Sequence, residues 1–228
     1  LMKQSLVSFD TETENLNSLE TKLVGISFSW QKNNGYFISF NNDDKKNSEF
    51  IELLKPFFES SEIEKVGHNL KFDIKVLFKY GINVCAPIYD TMIAHYIINP
   101  DMRHNLDSLS ESYLNHSPIT IEDLIGKKGK NQKNIRDISI QEITKYSVQD
   151  PDICLQLKGI FDKEIKDNNL SKIFSEIELP IIEVLSGMEK EGIKIDEKYL
   201  KSLEKDFKNE LIALENKIFK ESGEDFNL

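Results

Sequence analysis

An α/β fold, in which a mixed sheet is flanked by helices and followed by a helical extension, is predicted by three features of this 228-residue chain. Strand-like and helix-like segments succeed one another in the order β-β-β-α-β-α over residues 6–80, which requires a sheet with helices packed on it. Asn34-Gly35 joins two alternating segments and marks a β-hairpin. From about Asn168 onward the apolar residues recur only at helical spacing.

Residues 6–9 read as a buried strand. Val24, Ile26, Phe28 and Trp30 alternate with Gly25, Ser27 and Ser29 as a half-buried strand requires, and the Asn34-Gly35 turn leads into a third strand at 36–40. Phe50, Ile51, Leu54, Phe57 and Phe58 follow at helical spacing; a short strand is predicted at 65–67 and a helix over 70–80. Asp90 is placed to cap a helix over 91–98 that Asn99-Pro100 ends, and 106–114 reads as another helix. A long helix is predicted from about Ser139 through Tyr146, Asp150, Ile153, Leu157 and Ile160. In the extension, Phe174, Ile177, Ile181, Leu185 and Met188 form one stripe interrupted by Pro180. Asp196 caps a last helix with the stripe Leu200, Leu203, Phe207, Leu211, Leu214 and Ile218. A single stripe of this kind packs on the preceding helix or on a part outside this chain. The start at Leu1, close to the first strand, and the end at Phe226-Asn227-Leu228 read as those of a piece of a longer polypeptide.

With 39% hydrophobic and 30% charged residues the chain has ample material for a core. No apolar run approaches the ~20 residues of a membrane span and no signal peptide is evident, so a cytoplasmic protein without membrane association is expected. The two cysteines, Cys85 and Cys154, lie in apolar surroundings and read as buried free thiols; no zinc-type spacing occurs. A net charge of -10 argues against broad adhesion to duplex DNA, whose affinity grows with the number of phosphates met by Lys or Arg. One basic stretch, Lys127, Lys128, Lys130, Lys133 and Arg136, is either a solvated loop or a loop that contacts a nucleic-acid backbone.

Three short stretches carry the chemistry: Ser8-Phe9-Asp10-Thr11-Glu12, His68-Asn69-Leu70-Lys71-Phe72-Asp73 and Tyr146-Ser147-Val148-Gln149-Asp150. Asp10 and Glu12 share one side of a strand because strand side chains alternate. Tyr146 and Asp150 are four apart and share a helix face, and Asp73 opens the helix after the central strand. Four carboxylates brought to one point suit two hard divalent ions, Mg²⁺ or Mn²⁺, which repel at ~3.5–4 Å unless anionic oxygens lie between and around them. Taken singly, Asp73 is a helix-start carboxylate, Asp10 a turn residue and Tyr146 a core aromatic; the joint pattern is what favours metal ligation. Asp90, Asp107, Asp123 and Asp152 fall outside the pattern and read as cap or surface carboxylates.

These residues resemble the tyrosine branch of the DEDD exonucleases, and more closely the proofreading domain of bacterial family A DNA polymerases, the DNA polymerase I group. The similarity extends to Arg103-His104-Asn105-Leu106-Asp107-Ser108-Leu109, to Gly129-Lys130-Asn131-Gln132 and to residues 146–157. Further on, Ile177-Glu178-Leu179-Pro180 and the segment from Met188 to Asp196 look like the first helices of the polymerase thumb. The resemblance implies a ribonuclease-H-like exonuclease domain at residues 1–168 and a thumb fragment at 169–228. It implies Asp10, Glu12, Asp73 and Asp150 as metal ligands and Tyr146 as the residue that orients the attacking water. It also places Leu16 as an apolar wedge beside the terminal base, His68, Asn69 and Arg103 against the 3′-terminal nucleotide or its phosphates, and Ile121 where an aromatic often stacks. Two departures stand out. Ile121 packs on a base but cannot stack aromatically, and Pro151, next to Asp150, predicts a kink at the metal site.

The expected function is a 3′→5′ exodeoxyribonuclease that takes two Mg²⁺ or Mn²⁺ ions and acts on single-stranded or frayed DNA 3′ ends. It is expected to be a monomer and the editing part of a polymerase whose remaining polypeptide is its partner. Palm and fingers signatures are absent, so this chain alone is expected not to extend a primer. The rival readings are a noncatalytic scaffold domain, against which the intact carboxylate set speaks, and an RNA-trimming exonuclease, against which the thumb-like segment speaks.

Overall fold

The structure is a computed structural model and describes residues 1–41, 43–224 and 226–227; Asp225 and Leu228, at the end of the expected thumb fragment, lie outside the described residues. Five strands, β1 (Leu6–Thr13), β2 (Leu23–Gln31), β3 (Asn34–Ser39), β4 (Glu64–Gly67) and β5 (Ile88–Asp90), form one sheet in the order β3-β2-β1-β4-β5. β1 pairs antiparallel with β2 and parallel with β4, and β4 pairs parallel with β5, so the sheet is mixed as expected. The helices are α1 (Asp44–Phe58), α2 (Leu70–Phe78), α3 (Thr91–Ile98), α4 (Leu106–Leu109), α5 (Ile121–Ile125), α6 (Ile140–Ser147), α7 (Gln149–Asp167), α8 (Ser171–Ile173), α9 (Leu179–Glu191) and α10 (Glu197–Ser222). π-helical turns at Ser110–Leu114 and Phe174–Glu178 extend α4 and precede α9. Among the described residues no helix is long and apolar enough to cross a membrane.

The alternation in β1 divides the chemistry of the sheet. Val7 and Phe9 join Ile26, Phe28, Phe57, Phe58 and Leu77 in a core under α1 and α2. Ser8, Asp10 and Glu12 face the other way, toward α7, and their cross-strand partners on β2 are Ser29, Ser27 and Gly25. The two serines leave room for α7 to lie across the sheet, and Gly25 makes room for the Phe37 ring of β3. The serines are fully buried and spend their hydroxyls on backbone oxygens: Ser8 on Val66 (3.3 Å), Ser27 on Asp10 (3.5 Å) and Ser29 on Asn34 (2.7 Å). Farther along α7, Ile153, Leu157 and Phe161 bury with Val66, Tyr89 and Ala94 in a second core.

Three local expectations are corrected. The hairpin turns at Lys32-Asn33, with Asn33 left-handed (φ 63), and Asn34 and Gly35 already belong to β3. The single helix expected from Ser139 is two helices that meet at Val148, so Tyr146 ends one and Asp150 starts the next. Pro151 supplies the reason, since it has no N–H to donate to the Ser147 carbonyl and cannot carry the α6 ladder across Val148. Cys154 is buried, but Cys85 is only half-buried.

The chain divides into two compact units, Leu1–Lys190 and Glu191–Leu228. In the first, Phe174, Ile182 and Ser186 turn inward, so of the expected stripe only Phe174 is buried and Ile177, Ile181, Leu185 and Met188 are exposed. Both faces repeat at helical spacing, and the inward one is the face that meets the Tyr89 ring through Phe174 (centroids 4.9 Å). In the second unit, Asp196 caps α10 by accepting from the Lys198 (3.1 Å) and Tyr199 (3.0 Å) backbone N–H groups, and Gly223 ends it in the left-handed conformation (φ 76). No described residue of α10 is buried.

Candidate active site

Asp10 and Glu12 lie near the C-terminal end of β1, with a register shift between Glu12 and Thr13. Asp73, in the first turn of α2 and 3% exposed, reaches back to the same strand, where its Oδ1 accepts from the Thr11 N–H (3.1 Å) and the Thr11 hydroxyl (2.5 Å). The start of α2 is itself fixed by Asp90, which accepts from the Asn69 (3.2 Å) and Leu70 (2.7 Å) N–H groups and from Met92 (2.9 Å) and Ile93 (3.2 Å) at the start of α3. One buried carboxylate thus begins two helices, and the cap expected of Asp90 is observed with a second duty. Asp123 likewise acts as a capping-box partner of Thr120.

Tyr146 and Asp150 arrive from the other side of the sheet, on the ends of α6 and α7. Pro151 sits in the first turn of α7, where the backbone N–H groups have no intrahelical partner in any case. Gln149 ties the junction by donating its side-chain amide to the Tyr146 carbonyl (2.9 Å) and accepting from the Ile119 N–H (3.0 Å).

Electrostatics place these residues together. Burial pushes the Asp10 carboxyl well above the usual carboxylate range, and Asp73, Asp150 and Glu12 each raise it further. Burial lifts Glu12 to about 7, against a downward pull from the Ser147 hydroxyl, which faces it without hydrogen-bond geometry. Asp73 is lifted to about 7 by burial although its bonds to Thr11 pull it down, and Asp150 is lifted to about 8 by burial, then by Glu12, Asp107 and Asp73. The Tyr146 phenol is pushed far up by burial and by Glu12, Asp150, Asp10 and Asp107, so it stays protonated at neutral pH. The neighbouring carboxylates disfavour charge on Asp10 and Asp150, which is the state a bound cation relieves.

As they stand, no three His, Cys, Asp or Glu side chains among the described residues form a ready-made metal cage. The donor set nevertheless fits hard divalent ions. It is all carboxylate, mutually repelling, and Glu12 Oε1 is buried with no hydrogen-bond partner. Asp107, left outside the pattern by the sequence, belongs to this neighbourhood because it raises both Asp150 and Tyr146. Its only signal in the sequence was its place in the Arg103–Leu109 motif.

The other expected site residues vary in readiness. Leu16 is 92% exposed on the loop after β1, and Ile121, 40% exposed, opens α5. Asn69 is exposed in the left-handed conformation (φ 61) at the start of α2. Arg103 is exposed and, among the described residues, has no hydrogen bond or ion pair. His68 is half-buried, with Nδ1 2.9 Å from the Thr91 hydroxyl. Burial brings its pKa down to about 4, so at neutral pH it is a hydrogen-bonding group and not a cation. In the basic stretch the lysines are exposed, but Arg136 is used structurally: it pairs with Glu14 and donates to the Phe40 and Leu23 carbonyls (3.1 Å each).

A family model described as a 3′-5′ exonuclease of DNA polymerase A matches residues 1–166. DNA polymerase I of Borreliella burgdorferi is 40% identical over 231 residues, which takes in 100% of this chain and 25% of that protein. The Pseudomonas aeruginosa DNA polymerase I is 30% identical over 242 residues, 100% of this chain and 26% of that protein. The chain spans about a quarter of the length of these curated relatives. Among solved structures, the POL domain of Pol1 from M. smegmatis in complex with DNA primer-template and dNTP matches with a TM-score of 0.73 at 18% identity, over 97% of this chain and 34% of that one. NrnC of Brucella melitensis matches with a TM-score of 0.67 at 22% identity, over 82% and 86%. These likenesses show the fold, the ribonuclease-H-like sheet with flanking helices.

Proposed function

Since the chain belongs to the 3′-5′ exonuclease family of DNA polymerase A, we propose that it removes mononucleotides from single-stranded or frayed DNA 3′ ends, with two divalent ions bound. The observation that carries this reading is the convergence of Asp10, Glu12, Asp73 and Asp150, each raising or raised by another, with the Tyr146 phenol beside them. Asp10, Glu12, Asp73 and Asp150 would hold Mg²⁺ or Mn²⁺, as oxygen donors suit these ions, and a related fold, that of NrnC, is solved with bound Mg²⁺. When bound, the ions lower the pKa of the attacking water and offset charge at the scissile phosphate and the leaving oxygen.

The residues of the chain do the remaining work. Tyr146 keeps its proton at neutral pH, so its hydroxyl orients the attacking water by hydrogen bonding and does not serve as a base. The water oxygen bonds to phosphorus, the P–O3′ bond breaks, and a nucleoside 5′-monophosphate leaves a strand shortened by one with a new 3′ hydroxyl. Exposed Leu16 wedges against the terminal base and Ile121 packs on a base by apolar contact. Arg103, without an ion pair among the described residues, meets phosphate, while His68 and Asn69 contact the nucleotide as neutral hydrogen-bonding groups.

In this reading residues 1–168 form the exonuclease domain and 169–228 the start of a polymerase thumb. The protein acts as a monomer with respect to other copies, and the rest of a polymerase polypeptide is its partner. The exposed apolar residues of α9 and α10 support that assignment. The test is a 5′-labelled single-stranded oligonucleotide incubated with the pure chain. A ladder shortening one nucleotide at a time from the 3′ end, present with Mg²⁺ or Mn²⁺ and absent with chelator, is expected. Internal cuts or metal-independent cleavage would overturn the reading.

A further inference from the structure

The tip of the β2–β3 hairpin touches the one residue that joins α6 to α7. A Cβ built on Gly35 would lie 2.5 Å from Val148 Cβ and 3.1 Å from both Val148 Cγ1 and the Val148 carbonyl oxygen. A contact of 2.5 Å to a Cβ cannot be relieved by a rotamer change, so a side chain at residue 35 requires the two backbones to move apart. Gly35 is not needed for its conformation, since its φ is not positive; it is needed for its lack of a side chain. Two residues earlier, the Asn33 N–H donates to Asp152 Oδ1 (2.7 Å), so the same hairpin also holds the first turn of α7.

Val148 lies between Ser147 and Gln149, the end of α6 and the start of α7. The helical ladder is interrupted here because Pro151 has no N–H to return to Ser147. What fixes the angle between the two helices is therefore side contact: the hairpin on one side and the Gln149 bonds to Tyr146 and Ile119 on the other. Tyr146 stands two residues before Val148 and Asp150 two after, so a small rotation there moves both relative to Asp10 and Glu12 on β1.

Resting on the exonuclease reading, we propose that Gly35 is a positioning residue, through which the hairpin tip sets the α6–α7 junction and so the placement of Tyr146 and Asp150. The experiment uses the full chain and compares Gly35→Ala, Asp152→Ala and the double variant Gly35→Ala/Val148→Gly with wild type. It reads thermal midpoint, Mn²⁺ affinity from the electron paramagnetic resonance of free Mn²⁺, and single-turnover rate and KM on a single-stranded oligonucleotide. Gly35→Ala is expected to lose roughly 100-fold in rate, as a ~1 Å misplacement does, with KM within about threefold and Mn²⁺ bound about tenfold more weakly. The second substitution moves the missing Cβ to the other side of the contact. It should restore at least about tenfold of the rate while lowering the midpoint further, because glycine is a poor helix former.

Rate and midpoint moving in opposite directions is what a merely structural role would not produce. Asp152→Ala removes only the Asn33 tether and should give the same rate-against-KM split at about three- to tenfold; if Gly35→Ala does not fold, this variant carries the test. Rates and Mn²⁺ affinities that simply follow the midpoint, or that stay at wild-type values in folded Gly35→Ala or Asp152→Ala, would overturn the proposal. Should wild type cleave nothing, the exonuclease reading falls by itself. Mn²⁺ affinity still decides the positioning role, since undiminished binding in the folded variants refutes it.

Discussion

Asp10 and Glu12 are carried by a strand that pairs with β2 at both residues, whereas Tyr146 and Asp150 are carried by two helix ends that meet at a single residue. On the strand side, alternation alone sends both carboxylates to one face, and the backbone ladder to β2 holds them there. At the junction nothing comparable acts along the chain. Its geometry is imposed from outside, by Gln149, by the hairpin tip and by the small residues of β2 that let α7 approach. Two of the four carboxylates sit on the paired strand, whereas Asp150 and the phenol sit at a junction placed by side contacts. Substitutions on the two sides should therefore fail differently.

The largest effect is expected on the strand side. Asp10 is the carboxyl raised by all three of the others, so Asp10→Ala should abolish 3′ cleavage, by at least about a thousandfold, in a protein that still folds. Without metal the variant should melt slightly higher than wild type, because crowding of like charge is relieved. A lower melting temperature of metal-free Asp10→Ala in scanning calorimetry would contradict the crowding.

At the junction, Tyr146→Phe keeps the ring and removes the hydroxyl. Turnover should fall about ten- to a thousandfold with metal and oligonucleotide affinity nearly unchanged, the pattern of a lost transition-state contact. Asp150→Asn should instead raise the metal concentration needed for half-maximal rate. Cleavage by Tyr146→Phe at the parent rate would reduce that tyrosine to a core aromatic.

A smaller effect is expected from pH on the metal-free protein. Glu12 and Asp73 at about 7 and Asp150 at about 8 lie above the values these groups have in an unfolded chain. Between roughly pH 4 and those values the folded state binds more protons than the unfolded state, so stability is lost as pH rises through that window. The thermal midpoint should therefore climb on acidification from pH 8.5 to about 5.5, and saturating Mg²⁺ should flatten the climb. A midpoint that falls on acidification over that range would show that burial does not raise these carboxyls.

The smallest effect is reserved for Pro151→Ala. Because Pro151 occupies the first turn of α7, the substitution sacrifices no hydrogen bond, and the outside contacts still set the junction. Rates within about threefold of wild type are expected. A hundredfold loss would mean that the break made by Pro151, and not the hairpin and Gln149, holds Tyr146 and Asp150 in place.

The strand side was the more legible in sequence. Period-two alternation in Phe9-Asp10-Thr11-Glu12 states which side chains face together, and the mixed sheet followed from element order. The junction was not legible in the same way. Tyr146 and Asp150 at i and i+4 look like one helix face, and only Pro151 hinted otherwise. Asn34-Gly35 looked like the turn, yet Asn33 takes the left-handed position, and Gly35 answers to Val148, a residue far away in sequence. Asp107 and Ser147 join the carboxylates only through tertiary proximity, which no local pattern encodes. In α9 two faces repeat equally well at helical spacing, so periodicity could not tell that Ile182 and Ser186 turn inward while Ile181 and Met188 do not.

The sharing of metal by both sides is tested most directly by counting Mn²⁺ bound per chain at pH 8, by equilibrium dialysis with metal analysis, in wild type, Asp10→Ala and Tyr146→Phe. Two ions should bind to wild type and to Tyr146→Phe, and at most one, weakly, to Asp10→Ala. Two tightly held ions in Asp10→Ala, or none in wild type, would contradict a shared carboxylate site.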